Sequence, residues 1–349
     1  MSLAFSLALR GFTLFGVLII VLTLLVVTLG ATGFSDRMLV AIVNDELRGI
    51  RTGLTETIRD PDRLEETLQA QREELEHFYG LDREWHSRLP AMVVRVITLD
   101  LGEARTLRSF KGSRKVTDLV LERLPYTMLL ITTASVITAV VGLWVGVKLA
   151  TQVGKPIDRV ISYFSAVSYA MPAWWAGILM ILIFAFELRL LPAGGLYSTP
   201  PPEGGLLRFL DLLWHSVLPV VTLVLVSLGA WIYTVRTMVL NTAQEFFVTV
   251  ARAKGLPETR VMRRYIMRVA APPIVTNVVL GLAGSLGGAI LTETVFNWPG
   301  MGRLYYDAVL AADENVLVAL TFMFTLIYVT ARFLLDVAYL VIDPRIRHS

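Results

Sequence analysis

Few side chains in this sequence could do covalent or redox chemistry, and their spacing argues against most of it. There is no cysteine, so no disulfide, thiolate metal site or cysteine nucleophile can form. The four histidines, His77, His86, His215 and His348, stand far apart with no partner at ligand spacing, which speaks against a metal centre. Neither H-E-x-x-H nor G-x-S-x-G occurs. The nearest approach to a phosphate cradle, Gly154-Lys155-Pro156, lacks both the upstream glycine and the hydroxyl residue that would hold Mg²⁺. The chain is therefore expected to be no enzyme and to carry no cofactor. Arg332 and Asp336 interrupt an apolar run, but four residues apart they share a helical face and can neutralise each other.

What remains is recognition by shape and charge. Between Arg236 and Arg268 lie seven basic residues against two acids, Glu245 and Glu258. Glu245–Lys254 (EFFVTVARAK) can form a short helix, Gly255 breaks it without a side chain in the way, and Pro257–Arg268 starts a second helix towards Pro272 and Pro273. At helical spacing Phe246, Val250 and Ala253 share one side, while Phe247, Ala251 and Lys254 share another. Aromatics beside small residues suit a helix seated in a partner's groove. A basic amphipathic helix lying on anionic lipid accounts equally for the charge.

Other residues could line or close a path. Phe296, Asn297, Trp298, Pro299 and Gly300, within FNWPGMG, have the composition of a tight re-entrant turn, or else of an interfacial aromatic belt. Met171, Pro172, Trp174 and Trp175 fall in the middle of an apolar run, where the proline should kink a helix and free a carbonyl. That kink either opens a face onto a pathway or is a tolerated packing irregularity. Asp307, Asp313 and Glu314 read as an acidic rim, a solvated loop edge before a binding surface. Gly281, Gly284 and Gly288 share one face, which favours close helix packing.

The elements that position these residues must sit in a bilayer. Of 349 residues 55% are apolar and 17% charged, with net charge +3, too small for a nucleic-acid footprint, and a wet exterior cannot be made from such a composition. Six runs are long enough to cross a hydrocarbon core: Gly11–Leu29, Pro125–Val147, Val160–Phe186, Ser216–Val235, Val269–Thr292 and Val316–Ile342. The first is longer than a cleaved signal sequence needs and no clear cleavage site follows, so residues 1–30 read as a signal anchor. Residues 31–123 form a polar segment whose Asp62–Glu76 stretch interleaves acids and bases like a solvated helix. Residues 124–349 form a five-helix core. The basic residues collect in the loop between spans two and three, in the loop at 240–270 and in the tail at Arg345 and Arg347. Both termini and both basic loops are thus expected in the cytoplasm, with 31–123 outside.

Gln244–Leu256 (QEFFVTVARAKGL) resembles the coupling loop of ABC importer permeases, in the A-R-A-K-G-L form of the dipeptide, oligopeptide and nickel permease family. Further stretches resemble that family's signatures in the family's order: Tyr79–Asp82, Asp100–Gly102, Glu122–Thr127, Pro172–Trp175, Leu191–Gly194, Glu293–Leu304, Tyr306–Leu310 and Asp343–Arg347. The likeness covers most of the chain from residue 79 onward. It departs at Phe247-Val248-Thr249-Val250, where aromatic-Val-Arg-Thr is usual, at Ala31–Met38, where P-G-D-P is often seen, and in an enlarged segment around 35–70.

The resemblance implies an all-α integral membrane protein with six transmembrane helices, the type I ABC importer permease fold and a polar extracytoplasmic segment between helices 1 and 2. It implies half of a translocation pathway for di- and oligopeptides in a prokaryotic inner membrane, with nickel chelates, glutathione or oligosaccharides as alternative cargo. Its partners would be a second homologous permease, two cytoplasmic ABC ATPase subunits, an extracytoplasmic solute-binding protein and the lipid bilayer, with no nucleic acid. Glu245, Phe246, Phe247, Ala251, Ala253, Lys254 and Gly255 would couple to the ATPase. Met171, Pro172, Trp174 and Trp175, with Phe296, Asn297, Trp298, Pro299 and Gly300, are the residues expected along the pathway from the kink and the turn described above. An ion-coupled secondary carrier would need intramembrane acids or histidines beyond the Arg332–Asp336 pair.

Overall fold

A computed structural model describes residues 3–82, 86–87, 94, 98, 100–285, 290–311 and 313–342. Gly288, His348 and the Asp343–Arg347 stretch lie outside the described residues. The apolar runs become helices because backbone in hydrocarbon must satisfy its own hydrogen bonds. Among the described residues, five helical stretches are long and apolar enough to cross a bilayer: Ala8–Ala31, Val116–Ala150, Gly205–Ala243, Glu258–Ala283 and Glu314–Val337. A sixth results if Pro156–Ala170 and Ala173–Glu187, bent by 102°, are one broken span.

In chain order the helices are α1 (Leu3–Ala31), α2 (Phe34–Thr57), α3 (Pro61–Phe78), α4 (Val116–Ala150), α5 (Pro156–Ala170) and α6 (Ala173–Met180). There follow α7 (Gly205–Ala243), α8 (Phe246–Ala253), α9 (Glu258–Val261), α10 (Met267–Ser285), α11 (Ile290–Val295), α12 (Met301–Leu310) and α13 (Glu314–Ile342). Two π-helical runs continue helices, Ile181–Glu187 after α6 and Met262–Ile266 between α9 and α10. The expected third span is therefore not a kinked rod but two helices. Met171 is extended (φ −85°, ψ 119°) because a residue before proline is barred from the helical region, and Pro172 then leads into α6. Pro125, Pro219, Pro272 and Pro273 lie within continuous helices.

The chain divides into two compact units. The first joins residues 1–119 to 307–325. In it α2 and α3 form a hairpin: the Arg72 guanidinium donates to Asn44 Oδ1 (2.7 Å) and the Tyr79 hydroxyl to Glu46 Oε1 (2.7 Å). No residue of α3 is buried, as a solvated helix requires. The expected acidic rim is something else. Asp313 and Glu314 are 0% and 4% exposed, and the Asp313 carboxylate accepts the backbone N–H groups of Arg105 (2.7 Å) and Thr106 (3.0 Å). Asn315 Nδ2 donates to the Glu103 carbonyl (2.8 Å), and Arg105 pairs with Glu314 at 3.6 Å. A charge is tolerated there because it is hydrogen-bonded on arrival.

The second unit comprises residues 120–306 and 326–349. Here α5 packs closely on α7 through small residues. A Cβ on Gly229 would lie 2.6 Å from the Ser168 Cβ, and Ser168 Oγ sits 2.7 and 2.9 Å from the Leu225 and Val226 carbonyls while accepting the Gly229 N–H (3.2 Å). Arg332 and Asp336 do pair along α13, at 3.9 Å. Gly281 differs from expectation: a Cβ there would meet open space rather than a neighbouring helix.

Candidate functional site

Helix α8 is held on one side and bare on the other. Val248 and Ala251, 0% and 2% exposed, enter a core with Val235, Val239, Val261, Ile266, Ala270 and Ile274. That seam ties the short helix to the spans before and after it. Phe246, a large apolar group, is 80% exposed, and Phe247, Ala253 and Lys254 are exposed beside it. Glu245, extended and exposed, precedes the first turn. Ala251, expected on a partner-facing side, instead packs inside the chain. Spacing alone separates two sides of a helix but does not say which turns inward.

The end of α8 is fixed by backbone and charge. Gly255 adopts φ +73°, a left-handed turn that favours glycine. Arg252 reaches across that turn to Glu258 with two bonds of 2.6 and 3.1 Å. Hydrogen bonding to Glu258 holds the Arg252 guanidinium above its ordinary pKa. In the sequence these two residues stand only as loop charge. A second fork lies nearby: Arg236 grips Asp158 at 2.8 and 2.9 Å, and Asp158 accepts the Gly154 N–H at 3.0 Å. Nothing in the pattern announces a pair 78 residues apart.

The turn at 296–302 is buried rather than laid over a surface. Phe296 and Trp298 are both 0% exposed, which removes the interfacial-belt reading and keeps these two rings inside the chain. Trp298 Nε1 donates to the Tyr126 carbonyl (3.1 Å) and its ring meets Tyr126 edge-on. Buried Glu293 accepts from Thr127 Oγ1 (2.9 Å) and from the Arg303 N–H (2.9 Å), while Thr127 Oγ1 accepts the Met301 N–H (2.6 Å). Gly300 is required there, since a Cβ would lie 2.4 Å from the Glu293 carboxylate. Exposed Asn297, at φ +50°, is gripped by Arg303, and Pro299 is half-buried.

The turn at 296–300 meets the helix and the loop that follow residues 171–175. A Cβ on Gly177 of α6 would lie 3.0 Å from the Phe296 ring, and Gly195 donates its N–H to the Phe296 carbonyl (2.9 Å). Met171 is half-buried, Pro172 is exposed at the corner, and Trp174 and Trp175 are 41% and 44% exposed on the helix that follows.

The family model described as binding-protein-dependent transport system inner membrane component matches residues 119–348. The chain is 28% identical over 280 residues to the oligopeptide transport system permease protein AppB of Bacillus subtilis, covering 80% of this chain and 86% of that protein. It is 31% identical over 287 residues to the di/tripeptide transport system permease protein DppB of Pseudomonas aeruginosa, covering 78% and 84%. Against the dipeptide transport system permease protein DppB of Escherichia coli K12 the identity is 30% over 287 residues, covering 77% and 83%.

Proposed function

This chain belongs to the binding-protein-dependent transport system inner membrane components, the permeases of ABC importers, and from that membership we propose that its cargo is a di- or oligopeptide and that α8 is its handle on the ATPase. As a permease it is the non-catalytic, multi-pass membrane component of its importer. Relatives named as peptide permeases support the cargo reading over about four fifths of the chain. One observation carries the coupling reading: Phe246 stands 80% exposed on a helix whose opposite side, Val248 and Ala251, is locked into the core of the adjoining spans. A push on Phe246 is thereby delivered to α7 and α10 and not lost in a loose loop.

The remaining assembly follows from the same reading: a second homologous permease, two cytoplasmic ATPases and an extracytoplasmic solute-binding protein. Both termini and the 240–270 loop face the cytoplasm, and Met171, Pro172, Trp174 and Trp175 border the path at the break between α5 and α6. The test is a crosslink. With no native cysteine in this chain, Phe246→Cys in the assembled importer is expected to capture an ATPase subunit. Capture of lipid-directed reagents alone, with the ATPase present, would discard the coupling reading.

A further inference from the structure

Between α4, α7 and α10 lies a cleft of about 470 Å³. Its polar lining is Ser135, Thr138, Ser227, Thr234 and Asn277, with Trp231 as a wall, and no lining residue is charged. The size falls within the range of small-ligand sites. One hydroxyl in it is anomalous. Thr222, Thr234, Thr242, Thr276, Thr321 and Thr325 each donate to the carbonyl four residues back, the usual escape for a helical threonine. Thr138 is 7% exposed and its Oγ1 has no hydrogen-bond partner among the described residues. A buried hydroxyl left unpaired costs free energy unless something else pairs it.

The cleft is also kept open. Trp231 donates its indole N–H to the Ala139 carbonyl (3.3 Å), and its ring occupies the place a side chain on Gly142 would need. Gly281 leaves open space beside it. Asn277 Nδ2 donates to the Pro273 carbonyl (2.8 Å), leaving the amide oxygen as an acceptor. Hydroxyls both donate and accept, so together these groups answer the alternating N–H and C=O of a peptide backbone. An uncharged lining holds neither a metal chelate nor a charged side chain, and its single tryptophan is a meagre platform for a sugar. A weak, charge-indifferent grip is what a solute needs if it is to leave again.

We propose that this cleft binds the amide backbone of a short peptide in transit through Ser135, Thr138, Ser227 and Asn277, with Gly281 keeping the space free. The proposal rests on the peptide reading above. It is tested in proteoliposomes holding the complete importer and a defined tripeptide, by measuring peptide imported per ATP hydrolysed. Gly281→Leu, built into open space, is expected to block import, and Thr138→Val to lower it about fivefold, the worth of one hydrogen bond. Thr138→Ser restores it. As a second measurement, Ser227→Cys is the sole thiol of this chain, and the tripeptide under turnover is expected to slow its modification by a methanethiosulfonate. Unchanged import in both the Gly281 and Thr138 variants overturns the site. So does labelling that the tripeptide leaves untouched, or capture of a second permease chain that seals Ser227→Cys from the reagent. A wild-type complex that imports another solute and no peptide overturns the peptide reading itself, which separates the two failures.

Discussion

Replacing Ala251 with glutamate would put an unpaired carboxylate at a position only 2% exposed. A buried charge without a partner costs about 3–5 kcal/mol, so Ala251→Glu is expected to lose folded protein, read as a lost monodisperse peak in detergent chromatography. Phe246→Ala removes a ring that is 80% exposed. It is expected to leave the melting temperature unchanged while weakening ATPase capture in a pull-down. The contrast distinguishes a helix that docks outward from one that merely fills space. Arg236 offers a parallel case. Arg236→Met strands buried Asp158 and should cost about 3–5 kcal/mol, whereas Arg236→Met with Asp158→Leu recovers most of it in the same thermal assay.

At the scale of elements, much was legible because hydrocarbon imposes one rule on every span. The first, second, fourth and sixth apolar runs lie within helices, and the charged α3 and the Gly255 break stand where composition places them. The 102° corner between α5 and α6 was legible only as a kink, because pre-proline sterics dictate a departure from helix but the packing around it sets the angle. The burial of Phe296 and Trp298 was hidden for another reason. Aromatics near a span's end suit a membrane interface equally well, and the turn is held inside by contacts far apart in sequence, such as Thr127–Glu293, 166 residues apart, and Trp298–Tyr126. Two adjacent glycines test this packing. A Cβ on Gly194 would lie 2.2 Å from the Phe296 carbonyl oxygen, so Gly194→Ala is expected to lower the melting temperature sharply. Gly195 needs its positive φ (+83°) and not its smallness, so Gly195→Asn, which accepts the left-handed region, should be far milder.

For the whole molecule, the family model begins at residue 119 and leaves α2 and α3 outside it. The orientation proposed from the basic loops would put that hairpin outside and the α8 loop in the cytoplasm. Glu66→Cys is expected to react with an impermeant maleimide on intact spheroplasts, and Lys254→Cys only after permeabilisation. Equal labelling of both from outside would invert or abolish the assigned topology. The clasp of Asp313 on the Arg105 and Thr106 amides has a consequence for biogenesis. Those amides leave the ribosome about 200 residues before the carboxylate that satisfies them, a wait of roughly 10–40 s at ordinary elongation rates. The stretch around Arg105 is thus completed only when Asp313 and α13 arrive, and a nascent chain cut short before them would display its unmatched amides to the cell's quality-control proteases.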